Sequence, residues 1–145
     1  RTGREVCLTM ELPMEHAENA LKRHAEAINA RSLEDYRASM VFPFTYQNYN
    51  GVALTQARAS DVDASDGTLP WQIIMRTDPS WSHTTFEAME LVARSVSSAV
   101  YKVAFRRIDN ASLASLPYDA IWIATCPSGQ WGVQFRHNLG MRADG

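Results

Sequence analysis

YDAIWIATCPSGQWGVQFRH, residues 118–137, is the stretch whose reading decides the fold. Residues 119–125 (DAIWIAT) are β-branched and aromatic with no Gly or Pro, the composition of a strand. Thr125-Cys126-Pro127-Ser128-Gly129 then supplies turn chemistry. Residues 130–137 (QWGVQFRH) alternate, with Trp131, Val133, Phe135 and His137 on one face and Gly132, Gln134 and Arg136 on the other. Two strands joined through a Pro- and Gly-containing loop make a β-hairpin.

Immediately upstream, residues 99–107 (AVYKVAFRR) alternate, placing Tyr101, Val103 and Phe105 on one face. Residues 86–94 (FEAMELVAR) fit two periods. Phe86, Met89, Glu90 and Ala93 have helical spacing, whereas Phe86, Ala88, Glu90 and Val92 would share one side of a strand. Propensity favours the helix and the adjoining strand favours a strand. We read a strand, turning through residues 95–98, with residues 109–116 as a polar connection to the hairpin.

The first half of the chain is helical at its start. Residues 14–31 carry Ala17, Leu21, His24, Ala25 and Ile28 on one stripe and Glu18, Lys22, Arg23 and Glu26 opposite, with Pro13 placed to begin a helix. Ser32 can cap a short second helix bearing Leu33, Tyr36 and Met40, which must stop before Pro43. Residues 44–49 (FTYQNY) read as a strand, Asn50-Gly51 as a tight turn, and residues 52–54 as a short return. A helix capped by Thr55 is expected over residues 55–64, and an irregular cover segment over residues 69–82. The DVDASDG run misses the calcium-loop pattern, since Gly67 comes one place late and no closing Glu follows, so no metal is expected.

The chain has 145 residues, enough for one domain with a sizeable core, and a formal net charge of −2. Scattered arginines without a basic stripe argue against a nucleic-acid or membrane-surface partner. No apolar run reaches the ~20 residues of a transmembrane helix. Cys7 and Cys126 read as reduced thiols, which suits a cytoplasmic protein. Residues 1–13 lack a signal peptide's apolar core and are expected to be a weakly ordered arm, followed by a single domain at 14–139 and a tail at 140–145.

Taken together, LKRHAEAINARSLEDYRASM, WSHTTFEAMELV and VAFRRID followed by IWIATCPSGQWGVQFR resemble the nuclear transport factor 2-like superfamily. That cystatin-type cone is shared with SnoaL-like polyketide cyclases and ketosteroid isomerases. The resemblance spans residues 14–136. It implies an α+β fold in which a curved mixed or antiparallel sheet wraps a long N-terminal helix, with two further short helices and a pocket at the wide end. It also implies a homodimer formed through the outer sheet face.

Within that resemblance His24 stands where ketosteroid isomerases carry an oxyanion-donating tyrosine. Their general-base Asp would fall near the first hairpin, yet no Asp or Glu lies between Asp35 and Asp61. His83 is similar to the acid–base histidine of scytalone dehydratase-like members. Glu90 with Arg94, if inward, would resemble part of the limonene-epoxide hydrolase network. Tyr36, Tyr46 and Tyr49 could supply hydroxyls, and Trp81, Trp122 and Trp131 could wall a pocket for an apolar or aromatic molecule.

Two readings follow. One is a binding protein with an apolar pocket, needing no cofactor. The other is a lyase, isomerase or cyclase using His24 and His83. Convergence of both histidines and a tyrosine on one cavity would favour the enzyme; each residue also has a purely structural reading, as a core or loop-fixing side chain.

Overall fold

The computed structural model describes residues 13–111 and 115–143, with side chains from His16 onward. The expected arm at residues 1–13 lies almost wholly outside the described residues. Helix α1 (Pro13–Ala30) is followed by α2 (Leu33–Ala38), β1 (Met40–Asn48), β2 (Ala53–Gln56), a 3-10 turn (Ala59–Asp61), α3 (Pro70–Thr77), β3 (Trp81–Arg94), β4 (Ser98–Asp109), β5 (Ser115–Thr125) and β6 (Gly132–Met141). The strands form one curved, unclosed sheet in the order β2-β1-β6-β5-β4-β3, antiparallel except for the β1–β6 pair. This is the α+β cone expected from the sequence, with residues 86–94 a strand and not a helix.

Helix α1 is the inner layer. Ala17, Ala20, Leu21, His24, Ala25, Ala27 and Ile28 are buried against the sheet. The alanines let backbone approach backbone, and the stripe excludes water from the concave face. The helix ends at Arg31 in a left-handed conformation (φ 53°). Ser32 N–H donates to Ala27 O, and Arg31 N–H to Ile28 O, satisfying the last carbonyls. A side chain in that conformation is strained, but the Arg31 guanidinium lies 4.3 Å from the Trp81 ring centroid and donates to Trp81 O. Ser32 caps α2 as expected, its hydroxyl accepting from Asp35 N–H.

Several sequence expectations fail; Met40, expected on the second helix, instead opens β1 after α2 ends at Ala38. Residues 55–64 are not a helix. Thr55 and Gln56 complete the β1–β2 ladder, and the Asp61 carboxylate accepts from Ala57 and Arg58 N–H, leaving a single 3-10 turn. Residues 69–82 are not irregular: Pro70 opens α3, where its missing N–H costs nothing, and Gln72 Oε1 accepts from Leu69 N–H. The cysteines are not both reduced, because Cys126 is disulfide-bonded; the sequence contains one other cysteine, Cys7, outside the described residues.

The strands also break the simple alternation. Between Ile123↔Phe135 and Ala124↔Val133 the β6 strand holds one extra residue, Gln134. Its amide accepts from Thr125 Oγ1 and donates to Pro43 O, fixing the bulge. A second extra residue, Glu87, lies in β3 between the Phe86↔Phe105 and Ala88↔Ala104 pairs. One added residue inverts the faces beyond it. Arg136 therefore joins Val133 inside, and Met89 and Leu91 rather than Ala88 and Glu90 face the core.

Candidate functional site

The concave face of the sheet, α1 and α3 enclose a cavity of about 520 Å³, the open space at its mouth included. Its apolar wall comes from five elements: Ile28, Ile73 and Ile74 from the helices, and Phe86, Phe105 and Trp122 from successive strands. Phe86 meets Phe105 at 5.8 Å and Trp122 at 5.6 Å between ring centroids, so the aromatic wall is continuous. The polar lining is Tyr46, Thr84, Arg107, Arg136 and Asn138. Among the described residues no Asp or Glu lines it.

These polar groups are brought together by register. Arg136 stands opposite Trp122, Asn138 opposite Ala120, and Thr84 opposite Arg107, all turned to the concave side. On the parallel side Tyr46 of β1 lies beside Arg136 of β6.

Arg136 is 6% exposed, and no carboxylate pairs with it among the described residues. Its Nη1 donates to His24 Nε2 at 2.6 Å and to Tyr36 Oη at 2.8 Å. Its guanidinium carbon lies 5.0, 5.2 and 5.6 Å from the ring centroids of Tyr46, Phe44 and Tyr36. The cation thus rests on neutral acceptors and π-faces rather than on an anion.

The protonation of His24 follows from its partners. Ser39 Oγ donates its one proton to Tyr36 O at 2.8 Å, so at 2.8 Å it accepts from His24 Nδ1–H. His24 Nε2 is then the lone pair that receives Arg136. Burial, and then the Arg136 charge, hold the imidazole pKa well below its usual value. Burial likewise raises the Tyr36 and Tyr46 hydroxyls, opposed in Tyr46 by both Arg136 and Arg107.

The sequence candidates separate into groups. Tyr46 and Trp122 line the cavity; His24 and Tyr36 sit directly behind it, with ring centroids 4.9 Å apart. Trp81 is buried and donates from Nε1 to Thr84 Oγ1, a lining residue. Trp131 is buried away from the lining, with Nε1 lacking a hydrogen-bond partner. His83 is exposed and bonded to Ser82 Oγ, apart from His24. Glu90 and Arg94 are exposed, not an inward pair; past the Glu87 bulge Met89 and Leu91, rather than Glu90, take the core side. Sequence reasoning missed Arg136 and Asn138, hidden by the bulge, and Ile73 and Ile74, hidden in the unrecognised α3. Arg107 was visible only as one of the scattered arginines, at the end of AVYKVAFRR.

No family model matches the chain, and no curated relative matches it by sequence. Solved structures do resemble it. A protein of unknown function with a cystatin-like fold from Nostoc punctiforme superposes with a TM-score of 0.65 at 10% identity, covering 96% of both chains. An NTF2-like protein with a cystatin-like fold from Novosphingobium aromaticivorans gives 0.63 at 14% identity, over 86% of this chain and 79% of that one. A ketosteroid isomerase-like protein from Erwinia carotovora atroseptica gives 0.60 at 13% identity, over 91% and 99%. The likeness is one of fold: the chain has the cystatin-like cone of nuclear transport factor 2-like proteins.

Proposed function

We propose that this protein binds a small apolar or aromatic molecule in the cavity beneath α3, without transforming it. The observation that carries this reading is the lining itself: a continuous aromatic wall with a few convergent hydrogen-bonding groups and no carboxylate among the described residues. Acid–base catalysis needs a group free to exchange a proton at neutral pH. Both His24 nitrogens are engaged, the imidazole is held neutral, and Arg136 stands between it and the cavity. His83, the other acid–base candidate, is exposed beside Ser82. These features support binding over the lyase, isomerase or cyclase alternative.

The test is a thermal-shift and calorimetry panel of neutral one- and two-ring aromatics, repeated on Ile73→Trp. Ile73 is half-buried on α3, so the larger ring fills the mouth without entering the core. Binding that disappears in this variant supports the cavity; binding unchanged by it, or no binding, overturns the reading.

The same proposal extends to assembly and setting. Val92 and Leu139 are exposed, and the half-buried Ile121, Ile123 and Phe135 lie between them on the convex side of the sheet, which suits a homodimer through that face. A monomer mass by light scattering at micromolar concentration would overturn the dimer. Among the described residues no helix is long and apolar enough to cross a membrane. The cytoplasmic location expected from the sequence leaned on reduced thiols; the disulfide at Cys126 suits an oxidising compartment better.

A further inference from the structure

We infer that the ligand of this cavity is an organic anion: a carboxylate carried on a one- or two-ring aromatic or comparably sized apolar body, bound with its charge between Arg136 and Arg107. This rests on the binding reading above and specifies its ligand class. Three observations carry it.

First, the cavity has a buried cation and no counter-charge. Arg136 is 6% exposed, lines the cavity and pairs with no carboxylate among the described residues. Removing a guanidinium from water is costly unless an anion or a full set of acceptors receives it. Among the described residues only Nη1 has hydrogen-bond acceptors, His24 and Tyr36, and both are neutral. Among the described residues no acceptor meets Nη2 or Nε, and such a guanidinium edge is a fork matched to two carboxylate oxygens.

Second, Arg107 lines the same space and carries an unsatisfied donor. Its Nε is buried and has no hydrogen-bond partner, while its guanidinium carbon lies 4.6 Å from the Tyr118 ring centroid. A buried N–H without an acceptor is rare and marks a position that a ligand or ordered water completes. Asn138 adds a side-chain amide whose oxygen already accepts from Gly140 N–H, leaving its NH2 donor end for the cavity. The polar lining is thus dominated by donors.

Third, the remainder of the wall is apolar and aromatic, so a bare inorganic anion would leave most of the cavity unmatched. A ring seated against Phe86, Phe105 and Trp122 would bury its faces there.

The probe pair is indole-3-acetate and indole-3-acetamide, which share a ring system and nearly a shape but differ in charge. Calorimetry on the intact chain should find the acid bound at least tenfold more tightly than the amide. Arg107→Met, a change at a half-exposed position, should reduce that preference to below threefold. Arg136→Met should abolish the preference as well, with circular dichroism checking that it folds; if it does not, Arg107→Met decides alone. Equal binding of acid and amide would overturn the anion assignment and leave the pocket standing. Binding of neither would overturn both. A preference that survives Arg107→Met unchanged would place the charge elsewhere and also reject the proposal.

Discussion

Arg136 and His24 form a cation–imidazole contact that works only while the imidazole is neutral. His24 is fully buried, with Nδ1–H given to Ser39 and Nε2 taken up by Arg136. Its folded pKa lies below the unfolded value of about 6.5. The unfolded chain therefore takes up a proton first as pH falls. The stability His24 contributes is complete above about pH 6.5 and is lost progressively below it, until the folded pKa is reached. Denaturant unfolding at pH 6.5 and 5.5 should show a loss of about 1 kcal/mol in the wild type beyond that in His24→Gln, which cannot titrate. Equal losses in both would show the imidazole exposed or charge-paired. Ser39→Ala removes the acceptor of Nδ1–H inside the core and should cost roughly 1–3 kcal/mol, measured the same way.

At the scale of elements, strand β6 carries most of the architecture's specificity. Its first residue, Gly132, lies so close to β1 that an added Cβ would meet Val41 Cγ2 at 2.8 Å and Ser39 O at 3.1 Å. Gly132→Ala should therefore lower stability by about 1–3 kcal/mol, since the β1 backbone must move to admit it. An unchanged melting temperature would show that β1 and β6 are not in this contact. The same strand explains what was legible in the sequence. Helix α1 and strands β4 and β5 were readable because each has a run of one period, β3 fitted two periods and was read as a strand from its neighbour, and His24 was placed on the buried stripe of α1. The Gln134 bulge was not readable: one inserted residue inverts the face of Arg136 and Asn138, and the alternation of QWGVQFRH carries no mark of it. Helix α3 was obscured because Pro70 reads as a breaker unless it is recognised as the first helical residue. The false helix at 55–64 had acceptable propensity, and edge pairing of Thr55 and Gln56 with β1 overrode it.

For the whole molecule, the cone divides labour between its two faces. The concave face holds α1, the His24–Arg136 network and the cavity; the convex face shows half-buried Ile121, Ile123 and Phe135. The disulfide at Cys126 adds a covalent restraint at the loop between β5 and β6. Thiol titration in denaturant without reductant should detect at most one free thiol, and reduction should lower stability by about 2–4 kcal/mol. Two titratable thiols in the unreduced protein would contradict the bond.

The central claim is that the donor-lined cavity of the cone is a ligand site. It is tested most directly by titrating indole-3-acetate into isotope-labelled protein and following side-chain resonances by NMR. The account predicts saturable shifts at Trp122 Nε1–H, Arg107 and Arg136, with His83 and Trp131 unmoved. Shifts absent up to millimolar ligand, or confined to His83 and the convex face, would contradict it.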